Sequence, residues 1–263
     1  MMSESILRVD HLSKSFGGLK AVNDLSFELE TDGIHSLIGP NGAGKTTTVN
    51  MLMGVYPPDS GTIVFNGKDI SRMKSHQIAR LGLRRTFQNI KLFHTMTVLE
   101  NLMVSAQFET SAGIVRTIFD YKKYRREEEQ LRAKAEEMLK LIGLYERRND
   151  VIGSLPYGRQ KVAELAMAAI TSPKVILLDE PAAGLNPSER MEFIEIVKQV
   201  FDSGIRFLMI EHNMDVVMSL SKKITVLDFG SKIAEGLPEE IRNNDIVIKA
   251  YLGNKFKKQT EGD

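Results

Sequence analysis

The stretch Ile34-His-Ser-Leu-Ile-Gly-Pro-Asn-Gly-Ala-Gly-Lys-Thr-Thr47 decides the core of the fold. Its first part, Ile34-His-Ser-Leu-Ile38, is an apolar strand that runs straight into glycines. The remainder, Gly39-Pro-Asn-Gly-Ala-Gly-Lys-Thr-Thr47, fits G-x-x-x-x-G-K-[ST] and leads into the helical segment Thr47–Met53. A strand before and a helix after are the context this motif requires. Its glycines let the backbone wrap a polyphosphate, with N–H groups pointing inward at a helix start. Gly39, Pro40, Asn41, Gly42, Ala43, Gly44, Lys45, Thr46 and Thr47 therefore form the predicted phosphate cradle. Lys45 is expected to reach the β- and γ-phosphates, and the Thr46 hydroxyl to ligate Mg²⁺.

A second carboxylate-bearing strand completes the pattern. Val175-Ile-Leu-Leu-Asp-Glu180 ends its apolar run in two acids. Asp179 is placed to serve the Mg²⁺ shell, usually through water. Glu180 then falls at the ligand-binding edge of a parallel sheet, where it can orient or deprotonate an attacking water. His212 ends the strand Arg206-Phe-Leu-Met-Ile-Glu-His212. A lone His at a strand end is more often structural than catalytic, but the preceding strand ends at the same site, which favours a γ-phosphate contact. Gln88, in Arg85-Thr-Phe-Gln-Asn89, carries no weight by itself.

Around these motifs the chain reads as α/β. Leu7–Leu12, Ala21–Leu29 and Gly61–Phe65 are β-like segments, and Asn66-Gly67 is a hairpin-turn signal. From about Ser75 to Thr171 the pattern is mostly helical, including the charged run Tyr121–Gln130, whose mixed charges suit a solvated helix face. After Pro173, short buried-type strands at Val175–Asp179, Arg206–Ile210 and Ile224–Leu227 alternate with helices. An α/β core with an inserted helical region follows, in one domain over residues 1–263 with a helical subdomain at about 90–165 and a frayed tail at Lys255–Asp263.

Composition narrows the partners. A net charge of +1 argues against a dominant basic surface, so no nucleic acid is expected. The absence of cysteine excludes disulfides and thiolate metal sites. No apolar run approaches the roughly 18–20 residues that span a bilayer, so a role at a membrane would require partner chains. The methionines, including Met51, Met53, Met214 and Met218, are read as core filler rather than a ligand groove.

Taken in order, these motifs resemble the nucleotide-binding subunit of an ATP-binding cassette (ABC) transporter, over nearly the whole chain. The resemblance implies a P-loop core with an N-terminal antiparallel β subdomain and an inserted helical subdomain. It implies that Phe16 stacks on adenine and that Gln88 is the Q-loop residue linking the Mg²⁺ site to the transmembrane partner. Ala183-Gly-Leu-Asn186 resembles the D-loop, and His212 the switch histidine. Leu155-Pro-Tyr-Gly-Arg-Gln160 falls at the signature, with Tyr157 and Gly158 the residues expected to face nucleotide. Within the family the likeness is to the LivG-type cassette of branched-chain amino-acid importers, through Arg84–Phe93, the tyrosine-containing signature and Asp179–Pro187. Further likeness lies in the helical insertion around Gln107–Arg132 and in the residues from Ile241 to Gly253. The resemblance further implies ATP hydrolysis with Mg²⁺, transmembrane permease subunits, a second identical or related cassette bound head to tail, and a substrate-binding protein acting indirectly. The place implied is peripheral, on the cytoplasmic face of the inner membrane. Cassettes moving lipopolysaccharide are similar and remain an alternative.

The signature departs from the family pattern. Where the family has a Ser that donates a hydroxyl to phosphate, this chain has Pro156. Proline is tolerated in a helix first turn. Val162, Leu165, Ala166 and Ala169, at helical spacing, supply an anchoring face. The amides from Tyr157 onward and the helix dipole remain the expected anion-binding groups. Either Tyr157 replaces part of the lost contact or it packs against a partner. An ATP-binding regulatory module with a disabled signature is the competing reading, against which intact Glu180 and His212 argue.

Overall fold

The computed structural model describes residues 5–86, 92–107 and 121–251. Gln88, the tail Lys255–Asp263 and part of the Gln107–Arg132 insertion lie outside the described residues. The chain divides into two compact units, Met1–Arg85 with Leu177–Ala182 and Arg206–Asp263, and Thr86–Ile176 with Ala183–Ile205.

The first unit carries two sheets. Strands β1 (Ser5–Phe16) and β2 (Leu19–Glu30) pair antiparallel, and β1 also pairs with β4 (Ser60–Phe65), which turns into the short β5 (Lys68–Asp69). The sheet order is β2-β1-β4-β5. Alternate residues Leu25, Phe27 and Leu29 are buried along β2, the period-2 pattern of a sheet with one face to the core.

The second sheet has the order β10-β9-β3-β8-β7-β6. Its centre is β3 (Ile34–Ile38), flanked in parallel by β8 (Arg206–Ile210) and β9 (Ser221–Asp228). Beyond these lie β7 (Val175–Asp179), β6 (Leu83–Arg85) and β10 (Ser231–Gly236). Every residue of β3 and β7 is buried, as expected of strands covered on both faces. The β6 strand interrupts the region read as helical, too short for a periodic signal to register.

Burial inside this sheet forces a polar side chain into a closed arrangement. His35 bonds through Nδ1 to the Glu28 carbonyl at 2.9 Å and through Nε2 to Thr225 Oγ1 at 2.9 Å. Burial pushes its pKa down to about 4, so the ring is neutral and structural at physiological pH.

Helices of the first unit are α1 (Lys45–Leu52) and α2 (Ser75–Arg80). The second unit opens with α3 (Val98–Gln107), α4 (Tyr121–Leu141) and α5 (Tyr157–Ala169), followed by α6 (Pro187–Asp202). In that unit α3 packs on α4 and α5, and α5 on α6. Val162, Leu165, Ala166 and Ala169 are all buried, the face that anchors α5. Asn101 in α3 is also buried, and its side chain ties together Phe93 N–H and the carbonyls of Phe93 and Thr97. The first unit closes with α7 (Met214–Leu220) and α8 (Pro238–Arg242). Of the four methionines read as core, only Met51 is buried; Met53, Met214 and Met218 are half-buried. No helix among the described residues is long and apolar enough to cross a membrane.

Candidate functional site

The loop after β3 is built by its neighbours as much as by its own glycines. Gly44 caps α1 with φ 101°, a conformation that L side chains rarely adopt. A Cβ there would stand 2.4 Å from the Ala21 carbonyl oxygen. Ala43 N–H donates to the Pro40 carbonyl at 3.1 Å, and the Thr48 hydroxyl donates to the Gly44 carbonyl at 3.0 Å. The helix starts at Lys45, two residues before the segment expected from sequence, so the Thr46 and Thr47 side chains project from its first turn.

Lys45 lies back over this loop, with Nζ donating to the Gly39 carbonyl at 2.6 Å and the Pro40 carbonyl at 2.9 Å. Burial lowers its pKa, opposed by the negative charges of Glu180 and Asp179. The ammonium is thus held in a spot where anionic oxygens would be its natural partners. A cavity of about 470 Å³ opens here, lined by Asn41 through Thr47 together with Glu180, Phe16 and Leu19. Phe16 is half-exposed and meets Tyr56 edge-on, ring centroids 5.4 Å apart. Asn41–Thr47 of the predicted cradle, the predicted base-stacking ring and the predicted hydrolytic carboxylate therefore border one space.

The acids at the end of β7 differ in their surroundings. Asp179 is buried, and its Oδ2 accepts from Arg85 Nη2 at 2.5 Å. Arg85 also donates to Asn50 Oδ1 at 3.0 Å. Glu180 has φ 48°, left-handed backbone for a non-glycine, with its N–H bonded to the Ile210 carbonyl at 2.8 Å. Strain of this kind collects at functional sites, where surrounding structure enforces it. His212 Nδ1 lies 3.8 Å from Glu180 Oε1 and 3.6 Å from Glu211 Oε2. These are approach distances rather than hydrogen bonds.

Glu211 is the acid that sequence reasoning missed. Its side chain is buried; Oε2 accepts the His212 N–H at 2.9 Å, while Oε1 is buried with no hydrogen-bond partner among the described residues. Burial pushes its pKa up. Arg85 was also missed, since its partner lies 94 positions away.

The signature segment belongs to the second unit. Pro156 is the N-cap of α5, with φ −52° and ψ 149° and no side-chain cap. The Gly158 N–H donates to Glu189 Oε1 at 3.2 Å, and Glu189 Oε2 accepts the Asn186 N–H at 3.0 Å. Asn186 in turn caps α6 through Glu189 N–H. The Tyr157 ring is packed so close to Gly184 that a Cβ there would be 3.0 Å from it. Tyr157 thus packs within its own chain, on the Ala183–Asn186 segment.

The ABC transporter family model matches residues 22–183, and the model described as "Branched-chain amino acid ATP-binding cassette transporter" matches residues 231–257. The chain is 44% identical over 253 residues to a high-affinity branched-chain amino acid transport ATP-binding protein, LivG, of Salmonella typhimurium, covering 96% of this chain and 99% of that one. It is 42% identical over 253 residues, with the same coverage, to the corresponding protein BraF of Pseudomonas aeruginosa. The crystal structure of an ABC transporter's ATP-binding cassette in its ADP conformation superposes with TM-score 0.84 at 32% identity, covering 95% of this chain and all of that one (100%). With the P-loop core, the antiparallel sheet and the helical second unit in the order the family requires, the chain belongs to the ABC transporter family.

Proposed function

We propose that this chain is the ATP-hydrolysing motor of an importer for branched-chain amino acids, seated peripherally on the cytoplasmic face of the inner membrane. The observation that carries the hydrolytic part is the single cavity bordered by the phosphate loop and the strained Glu180. The cargo rests on relatives whose names state it and on the family model over residues 231–257.

In this reading the loop amides and Lys45 hold the β- and γ-phosphates, releasing the Gly39 and Pro40 carbonyls from Lys45 Nζ. Phe16 takes the adenine. Glu180 Oε1 accepts a proton from the attacking water, and His212 Nε2 faces the γ-phosphate while Nδ1 stays toward Glu180 and Glu211. The described residues contain no group of three or more acids and histidines able to hold a cation alone. That fits Mg²⁺, which characteristically binds one or two protein oxygens together with substrate phosphates. Thr46 and Asp179 would hold it, with Gln88 as a further ligand, and it would neutralise charge developing on the phosphates. All of these elements form one nucleotide-binding domain, with the second unit as its signature-bearing helical subdomain.

The signature would act on nucleotide held by a second cassette, identical or related, docked head to tail. Transmembrane permease subunits complete the machine, and a substrate-binding protein delivers cargo to them. A second reading, an ATP-binding module that does not turn over, has one observation in its favour: the Gly158 amide is already bonded to Glu189. Coexpression with its membrane partners, reconstitution in vesicles and assay of leucine, isoleucine and valine uptake test the proposal. ATP-dependent uptake supports it, and a complex that binds ATP but releases no phosphate selects the module.

A further inference from the structure

Two hairpins of the first unit turn through the same geometry with different residues. Asn66-Gly67 joins β4 to β5 with φ 48° and 75°, and Phe229-Gly230 joins β9 to β10 with φ 43° and 80°. The flanking partners are Phe65 with Lys68 and Asp228 with Ser231, so each loop has two residues. Positive φ at both positions is the type I′ turn, which favours Asn-Gly because asparagine tolerates left-handed backbone. Phenylalanine at the first position works against that preference.

Burial does not offset the cost, because Phe229 is 74% exposed. Neither local propensity nor packing within the described chain accounts for the residue. The turn is nevertheless firmly placed: Gly230 N–H donates to the Ala43 carbonyl at 3.1 Å, and Asn23 N–H donates to the Gly230 carbonyl at 2.8 Å. These bonds pin the hairpin tip to the phosphate loop and to β2. From there Phe229 lines the same cavity as Phe16, Lys20, Ala21 and the phosphate loop, beside the equally apolar and exposed Leu19.

We infer that Phe229 is a second aromatic wall of the nucleotide pocket, contacting the base of the bound nucleotide while the loop holds its phosphates. An aromatic face suits a base because stacking needs no hydrogen-bond match. The strained turn serves to present the ring, which an Asn-Gly turn would lack. This inference rests on the nucleotide-binding reading of the cavity.

The test uses the full-length chain and compares ADP with inorganic triphosphate by calorimetry. Phe229→Asn, which installs the sequence of the other turn, should raise the melting temperature yet weaken ADP binding by about 5- to 50-fold, the range of one base–aromatic contact. Triphosphate binding should be unchanged. Phe229→Leu should weaken ADP similarly without the gain in melting temperature, and Phe229→Tyr should retain affinity. Unchanged ADP affinity in the Asn and Leu variants overturns the inference, as does an equal loss for ADP and triphosphate, which would mean a distorted phosphate loop. Should the unaltered chain bind ADP no better than triphosphate, the nucleotide-site reading itself fails, and the inference with it.

Discussion

Glu189 Oε1 accepts the amide of Gly158 at 3.2 Å, so a carboxylate of this chain sits where a partner-bound phosphate is expected to dock. The amide that should meet the anion is satisfied internally, and Glu189 simultaneously closes the capping box of α6. Glu189→Gln keeps an acceptor for the cap but removes the competing charge at a helix N-terminus. The KM for ATP in the assembled transporter should fall by about two- to fivefold, the size of one charge–dipole interaction. An unaltered KM would show that this carboxylate does not compete with phosphate.

The same contact changes why Gly158 has no side chain. A Cβ there would come within 2.8–2.9 Å of the Glu189 side chain, so a substitution in the isolated chain must displace that carboxylate from the Gly158 and Asn186 amides. Gly158→Asp should abolish turnover and lower the melting temperature of the subunit alone. Pro156→Ser acts oppositely: at the N-cap its hydroxyl can bond an orphan amide of α5, adding about 1 kcal/mol of stability. Turnover should be unchanged or up to about tenfold faster, one regained charge-assisted bond being worth a kcal/mol or two. If Pro156→Ser instead switches on an inert protein, the native signature is disabled.

For Glu180, replacement by Gln removes the carboxylate proposed to accept the proton, at constant size. ATP should still bind, while hydrolysis falls by about 10² or more, the usual cost of losing a general base. Hydrolysis near the unaltered rate in the complete transporter would remove Glu180 from the mechanism.

Arg85 supplies the countercharge for a buried acid, with the two side chains only 16% and 11% exposed. Arg85→Met leaves Asp179 without that partner and should destabilise the chain by up to about 3–5 kcal/mol. Mg²⁺-ATP brings its own positive charge to Asp179, so the thermal shift it produces should be larger in the variant than in the native chain. Equal shifts would separate Asp179 from the metal site.

Glu211 predicts a pH signature. Its folded pKa is raised by burial above the ordinary glutamate value, so ionisation costs the native state free energy that the unfolded chain does not lose. That penalty is absent below the unfolded pKa and grows as pH rises toward and through the folded one. Glu211→Gln cannot ionise, so its melting temperature relative to the native chain should rise between acidic and neutral pH. A pH-independent difference would mean that Glu211 ionises in the folded chain without penalty.

What the sequence determined by itself was local. A strand, a glycine loop and a helix in succession encode the phosphate cradle because each preference acts within a few residues. The apolar stripe of α5 and the Asn66-Gly67 turn were legible for the same reason, through helical period and left-handed tolerance. The Phe229-Gly230 hairpin escaped notice because its turn contradicts local preference and is held by Ala43 and Asn23. Tertiary structure alone decided the partners of the acids. Glu211 becomes a buried acid only once the strands pack around it, and Asp179 meets Arg85 only because β6 and β7 are neighbours in one sheet. Strand order follows from burying the whole apolar core at once, a balance that no short stretch of sequence carries. Glu189 could be read as a helix-capping acid from its neighbours, but its bond to Gly158 required α5 and α6 to pack against each other.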